Sequence, residues 1–382
     1  MRIGFDISHS LGNPSGLGRY ASGLLHGLVR SAPEHQFLAY PFFYEHFPAQ
    51  WRRAQTPAAP NVRVNRPPLP RPIIGRMLAH GGVIAELLFG DVDITHSNGT
   101  IAPILRRSRL VYTVYDCTVF LMPELHDQGN VEVVSRNMRL AAERAVAIIA
   151  DSESTRTDYL ATVPADPERV SVVYGAADAR FNPLISESEI QRVRARYGIG
   201  REYVLAVGTT EPRKNLFRLI RAFESLSSHH RDVQLVVAGR RGWLSEPLYE
   251  YVEQHSLEDT VRFAGYVDAG DLPALYAGAT VFAYPSLYEG FGLPLVEAMA
   301  SGVPVLTSNR SSLPEVAGDA AILVNPEDEA EIAGELVHLL EDEQLRRELT
   351  KEGIRQAARF SWESSAKRLL QVYERVIADA TL

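Results

Sequence analysis

A single cysteine, Cys117, occurs in 382 residues. An internal disulfide framework is therefore excluded, and a reducing compartment is expected. Lysine is nearly missing too, at Lys214, Lys351 and Lys367 only, so arginine carries the basic charge. No apolar run approaches the roughly 20 residues that span a bilayer. The start, MRIGFDIS, opens directly on a strand pattern, and no signal peptide is expected. Cysteine and histidine nowhere fall at zinc-ligand spacing. Excess positive charge is absent as well: the formal net charge is −8, which argues against a nucleic-acid partner. These absences point to a cytoplasmic protein.

What is present is a globular composition, 46% apolar and 23% charged, at a length that suits two domains. Charge is unevenly spread. Up to Gly175 there are 17 arginines and 16 acids, and the remainder has 22 basic and 31 acidic residues. His46–Ala85 contains Arg52, Arg53, Arg63, Arg66, Arg71 and Arg76 and no acid. Trp51, Ile73–Ile74 and Met77–Leu78 lie among them. Two readings stay open for this stretch: a peripheral surface for anionic lipid heads, or a solvated loop.

Short runs rich in Val and Ile alternate with amphipathic helical patterns. That alternation predicts parallel sheets covered by helices on both faces. Strands are expected at Arg2–Ser8, Gln36–Phe42, Val62–Asn65, Ile94–Ser97, Leu110–Tyr115, Ala147–Ala150 and Val170–Tyr174. A second set is expected at Tyr203–Val207, Gln234–Ala238, Val261–Ala264, Thr280–Tyr284, Pro304–Thr307 and Ala320–Val324. The fold class is α/β, with two doubly wound domains over residues 1–176 and 177–359. Phe360–Ala380 carries apolar positions at 3–4 spacing and predicts a long final helix.

The most informative segment is Val281–Val305, VFAYPSLYEGFGLPLVEAMASGVPV. A strand feeds a Gly-rich turn, and a helix follows from about Leu293. Glu289 and Glu297 stand at the two ends of this junction. Glycine lets the backbone come close to a ligand, and a helix start offers N–H groups to an anion. The ligand expected here is anionic in the middle and polyhydroxylated at both ends, as a nucleotide-sugar is. The segment resembles the E-x7-E signature of retaining glycosyltransferases of family 4, which have the GT-B fold. The resemblance rests on the tyrosine-proline lead-in, the GFGLP core and the following SGVPV, and it extends over nearly the whole chain.

That resemblance implies two Rossmann-like domains facing a cleft, with helix 360–380 packing back on the first. It implies an acceptor-binding first domain and a donor-binding second domain. Gly208–Asn215, GTTEPRKN, follows a strand, and Arg213 and Lys214 are suited to a diphosphate. They match the family's donor-phosphate clamp and would do a metal's work. Glu289 would bind the donor sugar, helped by the backbone of Phe291, Gly292 and Leu293. Glu297 would hold the ribose hydroxyls. Backbone near Gly16 and Gly18, in NPSGLGR, would approach the donor phosphate. Gly208 belongs to the clamp loop. Arg240, in VVAGRRGW, and Tyr266 and Val267, in FAGYV, would line the base pocket through backbone groups.

Asp116, in VYTVYDCT, matches the family's acid, whereas Tyr115 stands where relatives often carry histidine. Asp116 faces either the sugar and acceptor or its own turn as a cap. Ser152, in DSESTRTD, is expected to cap a helix. Two decoys occur. Gly16, Gly18 and Ala21 spell a dinucleotide fingerprint, but too far past the strand. Asp91-Val92-Asp93 spells a metal motif of another glycosyltransferase fold, but reads as a loop before a strand, and no catalytic metal or cofactor is expected. The resemblance implies transfer of a hexose, with mannose or rhamnose and a GDP donor favoured, to a lipid-linked saccharide in bacterial surface polysaccharide synthesis. Alternatives are a nucleotide-sugar epimerase of the same architecture and a silent glycan-binding subunit.

Overall fold

The computed structural model describes residues 1–11, 16–41, 56–65, 86, 90–200, 202–227, 230 and 232–378. The basic stretch His46–Ala85 lies outside the described residues, except for 56–65. The chain divides into two compact units, Met1–Ala176 with Phe360–Leu382, and Ala177–Arg359.

In the first unit, β1 (Arg2–Asp6), β2 (Gln36–Tyr40), β3 (Val62–Val64), β4 (Ile94–Ser97), β5 (Arg109–Val114), β6 (Ala147–Ala150) and β7 (Val170–Val172) form one sheet. Its order is β3-β2-β1-β4-β5-β6-β7, and every pairing is parallel. Parallel neighbours require crossovers, which helices supply. In the second unit, β8 (Glu202–Val207), β9 (Val233–Ala238), β10 (Val261–Gly265), β11 (Val281–Tyr284), β12 (Val305–Ser308) and β13 (Ile322–Val324) form a second parallel sheet. Its order is β10-β9-β8-β11-β12-β13. The expected strands are present, with ends that differ by one or two residues.

The second core shows how these elements hold. Val204 and Ala206 of β8, Leu235 and Val237 of β9, and Val281 and Ala283 of β11 share one sheet face, two residues apart on each strand. Leu219, Ile220, Phe223 and Leu226 cover that face from helix Leu216–Ser227, at helical spacing.

The final helix, Trp362–Ala378, belongs to the first unit and runs along helix Gly16–Ser31. The contact is backbone-close. A Cβ on Gly23 would lie 2.2 Å from the Trp362 indole, and one on Gly27 would lie 2.4 Å from the Trp362 carbonyl oxygen. Ser365 Oγ donates to the Tyr174 carbonyl at 2.7 Å. Among the described residues no helix is long and apolar enough to cross a membrane.

In each sheet the chain winds outward from one strand and then returns to that strand's other side. The reversals fall between β1 and β4 and between β8 and β11. Such a reversal opens a crevice outside the carboxyl ends of the strands, where open α/β sheets bind ligands.

Candidate active site

At the second unit's reversal, the loop after β8 meets the loop after β11. Glycine makes the first loop possible. A Cβ on Gly239 would sit 1.7 Å from the Gly208 carbonyl oxygen, so the exits of β8 and β9 touch backbone to backbone. Thr210 N–H donates to the Arg240 carbonyl at 2.9 Å, and Gly208 N–H to the Ala238 carbonyl at 2.9 Å. The chain then turns through Pro212–Lys214 and stops at Asn215, in the left-handed region at φ 57°. The Asn215 amide donates to the carbonyls of Pro285 at 3.0 Å and Pro326 at 2.5 Å. Leu287 N–H donates to the Arg213 carbonyl at 2.9 Å. Side chain and main chain thus tie the two loops together.

The tie brings Arg213, Lys214 and Glu289 into one cluster. Arg213 Nη1 donates to Glu289 Oε2 at 2.8 Å, and Nη2 to Glu211 Oε1 at 2.6 Å. Lys214 Nζ donates to Glu289 Oε1 at 2.7 Å and to the Tyr284 hydroxyl at 2.7 Å. Glu289 is fixed by its main chain as well: its N–H donates to Ser311 Oγ at 2.9 Å, and its carbonyl accepts from Ser312 Oγ at 2.9 Å. Burial works to raise the Glu289 pKa, but the charges of Arg213 and Lys214 outweigh it and bring the value down to about 2. Burial also pulls Lys214 below the ordinary lysine value, against the opposing charge of Glu289. Two cations face two carboxylates, so the cluster is formally neutral. Sequence reasoning quoted Glu211 and Tyr284 inside motifs but gave them no role, and it missed Ser311 and Ser312. The lead-in before Pro285 and the acid two residues before Arg213 were the available signals.

Gly292 stands at φ 93° and caps helix Leu293–Ala300. The helix start offers less than expected to an anion. Pro294 has no N–H, and Leu295 N–H donates to the Gly292 carbonyl at 2.9 Å, so of the four N–H groups at the helix start those of Gly292 and Leu293 remain. Phe291 and Leu293 are buried. Glu297 lies on this helix, buried, and accepts from the Tyr276 hydroxyl at 3.1 Å.

Arg240 is exposed, and its guanidinium lies 4.8 Å from the centre of the Tyr266 ring. Its carbonyl accepts from Thr210 N–H at 2.9 Å, which fixes the backbone that is expected to line the base pocket. Val267 is buried and Tyr266 exposed.

In the first unit, Gly16 and Gly18 sit in the first turn of helix Gly16–Ser31; Asn13–Ser15 lie outside the described residues. Asp116 Oδ1 accepts from Thr118 N–H at 3.0 Å and Thr118 Oγ1 at 2.5 Å. That oxygen is bound within its own turn, while the N-cap position of helix Thr118–Leu121 belongs to Cys117. Tyr115 packs edge-on against Tyr20, with ring centres 5.4 Å apart. Ser152 caps helix Glu153–Thr162 through Thr155 N–H at 2.9 Å. Asp91 and Asp93 hold the start of β1: Arg2 Nη1 pairs with Asp91 at 2.6 Å, and Arg2 N–H donates to Asp93 at 2.7 Å.

Two parallel α/β units, each with a strand-order reversal, make the GT-B fold of glycosyltransferases. Solved structures with this fold include Anabaena HepE in complex with UDP-glucose, with a TM-score of 0.74 at 23% identity over 99% of this chain and 100% of that one. Another is WaaG, a glycosyltransferase involved in lipopolysaccharide biosynthesis, at 0.71 and 18% over 96% and 98%. The family models "Glycosyl transferases group 1" and "Glycosyltransferase Family 4" match residues 189–356 and 14–181. The Escherichia coli O-antigen chain mannosyltransferase B is 36% identical over 70% of this chain and 71% of its own length. The O-antigen chain mannosyltransferase RfbU of Salmonella typhimurium is 28% identical over 68% of each chain. The serotype-specific mannosyltransferase WbdA of Escherichia coli is 33% identical over 62% of this chain but 29% of its own, much longer, sequence. The chain belongs to glycosyltransferase family 4 and is a glycosyltransferase.

Proposed function

We propose that this enzyme transfers a hexose, mannose being favoured, from a GDP-sugar to a lipid-linked saccharide during bacterial surface polysaccharide assembly. It acts without a metal and retains the anomeric configuration. One observation carries the reading: a buried Glu289 bridging Arg213 and Lys214 at the reversal of the second sheet. A donor diphosphate brings more negative charge to the two cations than one carboxylate does. It takes over their donors and leaves Glu289 to accept hydrogen bonds from sugar hydroxyls. The bond from the sugar's anomeric carbon to the phosphate oxygen breaks, and its electrons pass to the diphosphate, where Arg213 and Lys214 stabilise them. The acceptor hydroxyl attacks from the same face and passes its proton to the departing phosphate oxygen. Glu297 binds the ribose, and the Arg240–Tyr266 pair offers a face on which the base stacks.

The mannosyltransferase names of the relatives favour mannose, and their O-antigen roles favour a lipid-linked glycan acceptor. The test supplies radiolabelled GDP-mannose, GDP-rhamnose or UDP-glucose with a lipid extract from polysaccharide-producing cells, in excess EDTA. Transfer from GDP-mannose into the lipid fraction, giving an α-linked product by NMR, is expected. A chelator-sensitive reaction restored by manganese would overturn the metal-free mechanism. Turnover of donor to an isomeric nucleotide-sugar without acceptor would establish the epimerase alternative.

A further inference from the structure

Away from both strand-order reversals, at the amino end of β5, the first unit has a cavity of about 360 Å³. Its wall is the segment that leads into β5, closed by Arg144 at the end of helix Gln128–Arg144. Four of the ten lining residues are arginines, Arg106, Arg107, Arg109 and Arg144, and none is an acid. β5 is six residues long, so the cavity lies roughly 15–20 Å from that strand's carboxyl end. It is a separate place from the crevice there.

The backbone under these arginines is rigidly held. The buried Glu86 carboxylate accepts from three consecutive N–H groups, those of Arg106 at 2.8 Å, Arg107 at 2.5 Å and Ser108 at 3.0 Å. Consecutive amides that converge on one oxygen form an anion nest, and here the chain fills it itself. The guanidinium groups therefore spread from a fixed base. Arg144 is anchored by one donor, Nη1 to the Ala102 carbonyl at 2.6 Å. The side chains of Arg106, Arg107 and Arg109 make no hydrogen bond or ion pair with a described residue. Elsewhere the fold pairs its arginines, as at Arg2–Asp91, Arg192–Glu189 and Arg310–Glu327. Four cations beside one another repel, with one carboxylate, Glu86, acting on Arg107, and a multivalent anion relieves the remaining repulsion. Planar guanidinium forks match phosphate oxygens. Ile104, exposed at the rim, adds an apolar edge.

We propose that this pocket binds a phosphate-bearing ligand, a diphosphate or a phospholipid headgroup, through Arg106, Arg107, Arg109 and Arg144, independently of the donor site.

Hydrogen–deuterium exchange of the full chain with inorganic pyrophosphate separates the two sites by position. Protection is expected in peptides covering residues 103–110, and separately in those covering 208–215. The variant carrying Arg106→Ser, Arg107→Ser and Arg109→Ser, checked for folding by circular dichroism, should need at least tenfold more pyrophosphate for the first protection. Its second protection should be unchanged. Protection confined to 208–215, or protection of 103–110 that the triple variant retains, overturns the proposal. Protection of 103–110 alone supports it while removing the diphosphate clamp from the donor site. Co-sedimentation with vesicles of phosphatidylglycerol and phosphatidylcholine then identifies the source. Binding that the triple variant loses assigns a lipid headgroup. A wild-type chain that is protected by pyrophosphate yet ignores the vesicles at low salt takes its phosphate from solution.

Discussion

Arg213 and Lys214 are both held by the Glu289 carboxylate, which in the proposed function they give up to the donor diphosphate. Replacing Lys214 by Ala leaves Glu289 with Arg213 alone, and replacing Arg213 leaves Glu211 without its partner at 2.6 Å. Each variant should lose about 10² or more in turnover, because removing one preorganised donor at a developing charge costs about 3 kcal/mol. Steady-state kinetics on chains that melt normally will check this, and near-wild-type turnover in either would remove the clamp assignment. The same cluster sets an acid limit on stability. Glu289 has its pKa lowered to about 2, so its contribution is complete above the ordinary carboxylate range. It is lost as pH falls through that range towards 2, where the carboxylate takes up a proton in the fold as well. A depression of that size corresponds to a contribution on the order of 3 kcal/mol. Urea melts of the wild type and Glu289→Gln should therefore differ at pH 7, and the gap should shrink steadily below about pH 4.5. A gap that stays constant down to pH 3 would show that the bridge contributes packing rather than charge.

Gly239 and Gly16 stand at opposite extremes, and substitution separates them. Gly239 has no room: its Cβ would fall 1.7 Å from the Gly208 carbonyl oxygen. Gly239→Ala must push the exits of β8 and β9 apart, at a cost of about 3 kcal/mol or more. Gly16 is the opposite case, since a Cβ there meets nothing within 4 Å among the described residues. Gly16→Ala should melt like the wild type. If backbone at Gly16 approaches the donor phosphate, that variant should still raise KM for the donor; an unchanged KM would free this turn from donor binding. The strands were readable because parallel strands are buried on both faces and show as continuous apolar runs. The pairing of Glu289 with Arg213, 76 residues apart, was not. It follows from β8 and β11 lying side by side, a property of strand order that no local pattern carries. Asp116 could be read either as a ligand group or as a cap, because an Asp before a short helix fits both. Only the hydrogen bonds to Thr118 show where one of its oxygens goes. The bond from Thr210 to the Arg240 carbonyl was not legible for a similar reason: it follows from β8 and β9 lying side by side.

Taken whole, the chain ends by returning to the unit in which it began. The 3–4 spacing of apolar residues after Phe360 was enough to place a helix, but the glycines that receive it, Gly23 and Gly27, have meaning only once Trp362 lies against them. That helix buries Leu369, Leu370, Val372, Tyr373 and Val376, and Tyr373 also hydrogen-bonds the buried His96 of β4. Burying five such side chains stabilises by about 1.5–3 kcal/mol each, in total roughly 8–15 kcal/mol, which is an upper estimate because the unfolded chain already hides some of this surface. A domain's whole stability is about 5–15 kcal/mol. Ending the chain at Arg359 should therefore unfold the first unit while sparing the second, which draws its core from Ala177–Arg359 alone. Hydrogen exchange reads both at once. Peptides from β1, β4 and β5 should lose protection in the truncated chain, and those from β8, β9 and β11 should keep it. Nucleoside diphosphate should still bind, since Arg213, Lys214, Glu289 and Glu297 all lie in the spared unit, whereas transfer to any acceptor should stop. Retained protection in β1 and β4 would mean that the first sheet holds without its returning helix, and equal loss in both units would mean that the two fold as one cooperative body.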